Sequence, residues 1–262
     1  MKLATFNING VKARLPRLLE WLEEAQPDVA CLQEIKSVDE NFPRLEIEAL
    51  GYHLETHGQK SFNGVALLSK SPMTDVGRGL PGDDTDEQAR FIYADIDGIF
   101  VACLYLPNGN PTPGPKYDYK LSWMARFHAF AEAKLREERP VIFAGDYNVI
   151  PQGIDVYDPV GWQGDALFRR QTRETFRRFA NLGYTDALRT AQPTGPAYTF
   201  WDYQAGAWQK DNGLRIDHIM LSPEAANLLE SAGIDRAARG KEKSSDHTPV
   251  WAQLRRSDRG VN

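Results

Sequence analysis

The chain has 262 residues, of which 42% are hydrophobic and 26% are charged, which is ordinary for a globular protein. This composition excludes a disordered chain and allows a large buried core without disulfides. A net charge of −5 and an isoelectric point near 5.6 argue against a protein that holds nucleic acid mainly by bulk positive charge. A bound cation or a local basic patch would not appear in this sum.

The amino terminus, MKLATFNING, reaches polar residues after only a few apolar ones. That run is too short for a secretion signal or a membrane span. Cys31 and Cys103 each lie inside an apolar run and are predicted to be small buried core residues. We therefore expect the protein to stay in the reducing cytoplasm.

Eight short runs of apolar or alternating residues predict strands. They are Lys2–Phe6, Val29–Leu32, Val65–Ser69, Phe91–Asp95, Phe100–Leu106, Val141–Ala144, Arg215–Leu221 and Pro249–Leu254. Apolar residues at helical spacing predict helices over Arg14–Ala25, Tyr117–Glu138 and Phe168–Leu182. Strands that alternate with helices predict a mixed α/β fold.

The second and third predicted helices each have an apolar face. The face predicted to cover a sheet is formed in the second by Leu121, Met124, His128, Ala131 and Leu135. In the third it is formed by Phe168, Thr172, Phe176 and Phe179. The rest of that third helix is rich in arginine, at Arg169, Arg170, Arg173, Arg177 and Arg178. These arginines form either a solvated surface or a contact with a nucleic-acid backbone, and both readings stay open.

The loops rich in Gly, Pro and Asp are too short to be interdomain linkers. The sequence therefore predicts one domain over residues 1–254. The charged segment 255–262 has no apolar anchor, and we expect a frayed tail there. We also expect a monomer, as is common for closed mixed-sheet domains of this length.

Acids and amides follow four of the apolar runs directly. They are Asn7, Asn9, Glu34, Asp146, Asn148 and Asp217. Alternate residues of an extended segment face the same side, so Asn7 with Asn9, and Asp146 with Asn148, can each project as a pair. One such pair is more often an ordinary turn, but four instances indicate a shared site.

Asp246 and His247 stand side by side just before the last predicted strand, in the run SDHTPV. An acid beside an imidazole is typical of metal ligation, of general acid or base catalysis, or of phosphate contact. Alone, the pair could equally end a turn. With the strand-end acids it extends the predicted site.

Several motifs occur in an order that resembles the exonuclease III family of abasic-site endonucleases, within the larger endonuclease/exonuclease/phosphatase group. They are LQEIK, YLPNG, GDYNV, TFWDY, LRIDHIMLS and SDHTPV. The resemblance runs from Met1 to about Leu254. It implies a DNase I-like four-layer α/β sandwich, with two packed mixed β-sheets flanked by helices and a site at the rim.

The resemblance also implies a bound metal, Mg²⁺ with Mn²⁺ as a substitute. Glu34 would be its principal ligand, with Asn7 nearby, because Mg²⁺ prefers hard oxygen ligands. Asp246 would lie near a second or alternative metal position. The remaining polar groups expected around the metal are Asp146, Asn148 and His247.

Catalytic roles follow from the same resemblance. Asp146 would orient or deprotonate the attacking water, and Asn148 would hydrogen-bond the developing phosphate charge. Asp217 would hold His247, so that a protonated imidazole can donate to a phosphate oxygen. Tyr105 matches a tyrosine that contacts the phosphate or the leaving group.

Substrate contacts are implied at five further positions, Lys36, Arg90, Asn108, Phe200 and Trp201. The two cations would meet the DNA backbone, Asn108 would shape the pocket, and the aromatic rings would line a pocket for a baseless sugar. For Trp201 the alternative is packing in the core. Some relatives have a large aromatic residue where this chain has Leu214, which leaves the preferred lesion open.

The function implied is a metal-dependent phosphodiesterase of base-excision repair that acts on double-stranded DNA at the nucleoid. Incision 5′ to an abasic site, 3′–5′ exonuclease action and removal of 3′ blocks use one bond-breaking chemistry, and the sequence does not rank them. The alternatives are a phosphatase of inositol phosphates or a sphingomyelin phosphodiesterase, and an inactive relative that only binds DNA or protein. His53, His57, His128 and His218 are assigned no role.

Overall fold

A computed structural model of the chain describes residues 1–255. The expected frayed tail lies, apart from Arg255, outside the described residues. Within the described part, no helix is both long enough and apolar enough to cross a membrane.

Twelve strands and six α-helices are found in the described residues. The strands are β1 Lys2–Asn7, β2 Val29–Gln33, β3 His53–His57, β4 Val65–Ser69, β5 Thr74–Arg78, β6 Phe91–Ile96, β7 Ile99–Tyr105, β8 Val141–Asp146, β9 Thr185–Asp186, β10 Asp217–Leu221, β11 Leu229–Ile234 and β12 Val250–Leu254. The helices are α1 Val11–Ala25, α2 Arg44–Glu48, α3 Pro115–Leu135, α4 Arg170–Asn181, α5 Ala187–Ala191 and α6 Pro223–Ala226.

The strands form two six-stranded mixed sheets that pack face to face. The first has the order β11-β12-β1-β2-β4-β3, and the second has the order β5-β6-β7-β8-β10-β9. Helix α1 covers the outer face of the first sheet, and α3 and α4 cover that of the second. The four-layer α/β sandwich is therefore confirmed.

The central strands have few polar residues because both of their faces are covered. All five residues of β2 are buried, and its alternate side chains serve the core between the sheets and the core under α1. Cys31 and Cys103 are fully buried in the core between the sheets, as predicted, and both are free thiols. Continuous apolar runs are typical of strands buried on both faces.

All eight predicted strands exist, but β3, β5, β9 and β11 were missed. These four lie at sheet edges. Strand β5, with the sequence TDVGR, has no buried residue, and β11 has none either. An edge strand that is half solvated carries little hydrophobic pattern, so a periodicity argument cannot find it.

The predicted inner face of the second helix was partly wrong. In α3 the buried residues are Tyr117, Lys120, Trp123, Met124, Phe127 and Ala131, whereas Leu121, His128 and Leu135 are only partly buried. The buried face is rotated because three large aromatic rings occupy it. In α4 the prediction held, with Thr172, Phe176 and Phe179 buried.

Candidate active site at the rim of the sandwich

The site lies where the ends of four central strands meet at one edge of both sheets. Strands β1 and β2 run parallel, and Asn7 pairs with Gln33 at their ends. In the second sheet Asp217 of β10 pairs with Asp146 of β8. Because the two sheets pack together, the polar residues that follow these strands converge, as the sequence indicated.

The backbone turns sharply just after these strands. Asn9, Glu34, Lys36 and Asn148 all have left-handed φ angles, between 47° and 50°. Such angles are uncommon for residues other than glycine, and they concentrate at functional sites. Here they turn the backbone after each strand so that the side chains of Glu34 and Asn148 line one cavity.

Gly145 is required by the close approach of β7. A Cβ atom at this position would lie 1.9 Å from the Leu104 carbonyl oxygen. The glycine therefore lets β8 end beside β7 and brings Asp146 next to Tyr105, its partner in the parallel ladder.

Asn7 ties the two sheets together at the rim. Its amide nitrogen Nδ2 donates to Glu34 Oε1 and to Asp146 Oδ2, each at 2.9 Å. Its Oδ1 accepts from the backbone N–H of Asn9 at 3.0 Å. One amide thus fixes the separation of two carboxylates that come from different sheets.

Glu34, Asp146 and His247 form a group able to hold a metal ion, because their candidate ligand atoms lie within 4.8 Å of one another. Burial, together with the charges of Asp217 and Glu34, raises the pKa of Asp146 to about 7. A carboxyl group whose pKa is raised in this way has too little positive charge nearby to stabilise its ionised form. The donor set therefore fits a divalent cation held by carboxylate oxygens.

His247 is held by Asp217 through a hydrogen bond of 2.9 Å from Nδ1 to Oδ2. Burial alone would lower the pKa of this imidazole, but the charges of Asp217, Asp146 and Asp246 raise it to about 10. The ring is therefore cationic at neutral pH, and its Nε2 lies 3.8 Å from Asp146 Oδ2. A protonated imidazole donates hydrogen bonds, whereas only the neutral ring ligates a metal ion.

Asn148 is oriented by three neighbouring groups. Its Nδ2 donates to the Leu106 carbonyl at 2.9 Å, and its Oδ1 accepts from Asn108 Nδ2 at 3.2 Å. Its backbone N–H donates to Asp146 Oδ1 at 2.8 Å. Both asparagines line the cavity, so the structure brings Asn108 and Asn148 together.

Lys120 is a buried supporting residue that sequence reasoning missed. Its Nζ donates to the carbonyl oxygens of Asn108 at 3.0 Å and Asn148 at 2.6 Å, and burial lowers its pKa to about 7. A signal was available, because Lys120 shares a helical face with Tyr117, Met124 and Phe127. A lysine among apolar residues on one face indicates a buried polar contact.

Tyr105 and Arg90 stack at the side of the cavity. The Arg90 guanidinium lies 4.8 Å from the centre of the Tyr105 ring and donates to the Tyr105 carbonyl at 3.2 Å. Burial and the charges of Glu34 and Asp146 raise the pKa of Tyr105 well above its usual value. The hydroxyl therefore remains a hydrogen-bond donor.

Lys36, Asn9 and Asp246 form a second polar chain along the rim. Lys36 Nζ contacts Glu34 Oε2 at 2.9 Å and donates to Asn9 Oδ1 at 2.6 Å. Asn9 Nδ2 in turn donates to Asp246 Oδ1 at 3.0 Å. Against the effect of burial, Asn7 and Lys36 hold the pKa of Glu34 below its usual value.

The cavity has a volume of about 240 Å³ and one apolar wall. Phe200 forms part of that wall and packs edge-on against His247, with ring centres 5.0 Å apart. Leu214 lies beside it in the wall. Ile216, Trp162 and Leu167 also belong to the apolar lining. Trp162 and Leu167 were missed because they lie in a loop without a recognisable pattern.

The expectation that Trp201 contacts substrate is corrected. Its side chain is fully buried among Tyr198, Ala207 and Trp208, and it does not line the cavity. Its Nε1 donates to Asp211 Oδ1 at 2.9 Å. Neighbouring residues of an extended segment point to opposite sides, so Phe200 faces the cavity and Trp201 faces the core.

His218 has a structural position, as expected for a histidine without motif support. It is fully buried, with Nδ1 at 3.0 Å from Arg215 Nη1 and Nε2 at 3.0 Å from the Val149 carbonyl. Both ring nitrogens are therefore occupied by contacts inside the protein.

Comparison with known proteins agrees with this architecture. The model of the Endonuclease/Exonuclease/phosphatase family matches residues 4–247. Exodeoxyribonuclease III of Haemophilus influenzae is 36% identical, over 97% of this chain and 100% of that protein. The structure of an AP endonuclease from Archaeoglobus fulgidus has a TM-score of 0.93 and 36% identity, covering 97% of this chain and 99% of the other.

A further solved structure contains nucleic acid. It is the 3′ phosphatase NExo from Neisseria bound to a product DNA hairpin, with a TM-score of 0.94 and 36% identity over 97% of this chain and 99% of that one. The two-sheet sandwich with an acidic rim defines a phosphoesterase class. This chain belongs to the Endonuclease/Exonuclease/phosphatase family, among its exodeoxyribonuclease III and AP endonuclease members.

Proposed function

We propose that the protein is a Mg²⁺-dependent DNA phosphodiesterase of base-excision repair. It cleaves 5′ to abasic sites to leave a 3′-hydroxyl, and it also removes nucleotides and blocking groups from 3′ ends of duplex DNA. The observation that carries the proposal is the convergence of Asp146, Asn148 and His247 beside an apolar cavity wall. The relatives named exodeoxyribonuclease III, AP endonuclease and 3′ phosphatase act within the same range of chemistry.

The geometry supports distinct roles around a phosphate placed in the cavity. Asp146 accepts a proton from the attacking water and so acts as the general base. His247, held protonated by Asp217, donates to a non-bridging phosphate oxygen, and Asn148 donates to the charge that develops there. Tyr105, whose hydroxyl stays protonated, faces the same space and stabilises the departing oxygen.

Glu34, with the Asn7 amide beside it, is the residue we assign to the cation, and Asp146 lies next to it. Mg²⁺ suits this oxygen-rich, partly open cluster because it keeps several waters, and Mn²⁺ has similar ligand preferences. When bound, the cation supplies neutralisation of phosphate charge. Asp246 lies across the same cavity and can serve a second cation position.

The apolar wall gives the preference for a damaged nucleotide. Phe200, Trp162 and Leu214 enclose one side of a cavity of about 240 Å³. A sugar without its base presents apolar surface and fits against such a wall, whereas a stacked nucleotide would have to leave the duplex first. Lys36 and Arg90 flank the cavity and position the DNA backbone.

The substrate class can be tested with four substrates under identical conditions. They are a duplex with one abasic site, an intact recessed duplex, a duplex with a 3′-phosphate, and a soluble inositol phosphate. We expect the first three to react and the inositol phosphate to resist, because nothing in its structure uses the apolar wall. Turnover of inositol phosphate alone would contradict the proposal and favour the phosphatase alternative.

We further propose that the protein acts as a monomer in the cytoplasm, on the nucleoid. All groups assigned to the reaction come from one chain, so no second copy is needed to complete the site. Sedimentation of the protein alone and with abasic duplex tests this. A dimer that dissociates with loss of activity would contradict it.

A further inference from the structure

A second cavity, separate from the catalytic one, lies under the arginine-rich helix α4. It has a volume of about 180 Å³. Four arginines and a single aspartate line it, which is a concentration of positive charge in a chain whose net charge is −5. The arginines are Arg173, Arg177, Arg189 and Arg215, and the acid is Asp186.

Two of these arginines are already balanced by acids. Arg215 is fully buried, with Nε at 2.7 Å from Asp155 Oδ1 and Nη1 at 2.6 Å from Asp186 Oδ2. Arg189 Nη2 also contacts Asp155 Oδ1, at 2.5 Å, while its Nε is buried without a partner among the described residues. Asp155 and Asp186 are therefore both paired, whereas the Nε–H group of Arg189 has no partner in the described residues.

The other two arginines form no salt bridge in the described residues, although Arg170 and, more weakly, Arg178 and Arg177 lower the pKa of Glu174 on the same helix. Arg173 uses Nε to donate to the Phe168 carbonyl at 3.0 Å, and its guanidinium lies 4.4 Å from the Phe168 ring centre. Arg177 is exposed and makes no hydrogen bond or ion pair in the described part of the chain. Four residues apart on one helix, the two charges repel each other, which costs stability unless an anion lies between them.

This cavity is connected with the catalytic cavity by the start of α4. Leu167 lines the catalytic cavity, and Arg169, two residues later, donates from Nη1 to Thr112 Oγ1 at 3.1 Å. Arg169, Arg173 and Arg177 follow at spacings of four residues and form one row along the helix. Within α4, the helical rise puts Arg177 about 10 Å from the first helical residue, Arg170.

We propose that the cavity of Arg173, Arg177 and Arg189 binds a phosphate of the DNA strand that continues beyond the catalytic cavity. Backbone phosphates of one strand follow every 3.4 Å or so along the axis of a duplex, so a cavity beyond the first turns of α4 meets a phosphate several nucleotides from the scissile bond. Arginine suits this role because its guanidinium binds phosphate oxygens in a bidentate manner. The inference rests on the proposed function and extends its substrate surface.

The test compares two double variants of the same helix that remove the same charge. R173Q/R177Q removes the pair at the cavity, whereas R170Q/R178Q removes two exposed arginines that do not line it. Binding to an abasic duplex is measured in chelator over a series of salt concentrations. We expect R173Q/R177Q to bind about tenfold more weakly and to lose about 1 to 2 from the salt slope. The control should match the wild type.

The single variant R177Q guards against a folding artefact, because Arg177 supports no hydrogen bond in the described structure. We expect it to keep the wild-type melting temperature and to lose about 1 from the salt slope. Equal losses in R173Q/R177Q and R170Q/R178Q would overturn the inference and indicate bulk electrostatics. No loss in either variant would also overturn it.

Duplex length and free phosphate separate the possible sources of the anion. On a duplex with about 3 base pairs on either side of the lesion, the wild type and R177Q should bind equally, because the distant phosphate is absent. If R177Q binds the abasic duplex as the wild type does and differs only in how added inorganic phosphate weakens that binding, the site takes free phosphate and the inference is wrong. If the wild type itself neither binds nor cleaves abasic duplex, the proposed function fails first.

Discussion

Two buried polar clusters lie side by side in this protein and differ in how their charges are balanced. In the catalytic cluster Glu34, Asp146 and Asp217 are accompanied by the buried His247, by Lys120 behind Asn148, and by Lys36 at the edge. In the neighbouring cluster, Arg215 and Arg189 are matched by Asp155 and Asp186. Arg215 and Asp217 are separated by one residue.

The pKa values record this difference. In the paired cluster the guanidinium groups of Arg215 and Arg189 outweigh burial and hold the pKa of Asp155 below its usual value. In the catalytic cluster burial and nearby carboxylates raise the pKa of Asp146 to about 7. In the paired cluster each acid has an arginine partner, whereas the catalytic cluster has an excess of negative charge that a cation and a substrate can use.

The largest expected effect comes from removing the general base. We expect D146N to lower the incision rate by about a hundredfold to ten thousandfold, because the water loses its proton acceptor. The free energy of unfolding should change little, because the loss of one hydrogen-bond acceptor offsets the relief of repulsion among the buried carboxylates. Single-turnover incision and urea denaturation measure the two quantities.

The matched control is D202N, which alters another acid of the same cavity that lies outside the metal-binding group. It should retain incision within a few fold of the wild type. Similar losses in both variants would show that general cavity charge, rather than Asp146 itself, governs the rate.

The paired cluster should respond in the opposite way. We expect R215M to lower the free energy of unfolding by about 3–5 kcal/mol, because Asp155 and Asp186 would stay buried without their main partner. R236M removes a half-exposed ion pair with Asp211 and should cost less than about 1 kcal/mol. Urea denaturation of both variants checks this, and equal stabilities would refute the distinction.

Metal should stabilise only through the catalytic cluster. A divalent ion that binds the folded state raises the free energy of unfolding by about 3 kcal/mol at a concentration a hundred times its dissociation constant. We expect Mg²⁺ to raise the melting temperature of the wild type but not of E34Q, and chelator to reverse the rise. An equal rise in both proteins would place the metal elsewhere.

The smallest effect should appear on acidification. Asp155 and Asp186 have folded-state pKa values below their usual values, so their contribution is present above the unfolded pKa of about 4. This contribution to stability is lost as the pH falls through the folded-state pKa values of the two carboxyl groups. The free energy of unfolding of the wild type should therefore decline below about pH 4. Unfolding titrations at several pH values test this, and R215M should show a smaller decline.

Much of this arrangement could be predicted because the buried strands carry strong patterns. β2 and β8 are buried throughout and apolar up to their last residue, and the acids Glu34 and Asp146 at their ends mark where the strands reach the rim. Edge strands β5 and β11 were not predictable, since half-solvated strands have mixed composition. Pairing partners such as Asn7 with Asp146, 139 residues apart, need the packing of two sheets to be known.

The errors at the site have a similar physical origin. For Trp201 the sequence left open either substrate contact or packing in the core, because it does not fix which of two adjacent aromatic residues faces a cavity, and Trp201 is a core residue. The wall residues Trp162 and Leu167 come from an irregular loop, whose path depends on tertiary contacts such as those of Asn110 with Asp165. The resemblance to the family predicted a role for each site residue, and the structure gives the distances and contacts between these residues.

The most direct test is incision of an end-labelled duplex that contains one abasic site, with Mg²⁺ or with chelator. We expect cleavage 5′ to the lesion, a 3′-hydroxyl end, and loss of the reaction in chelator while the fold is retained. Incision that proceeds equally in chelator, or no reaction on this duplex in Mg²⁺, would contradict the assignment of the acidic rim as a metal-dependent DNA phosphodiesterase.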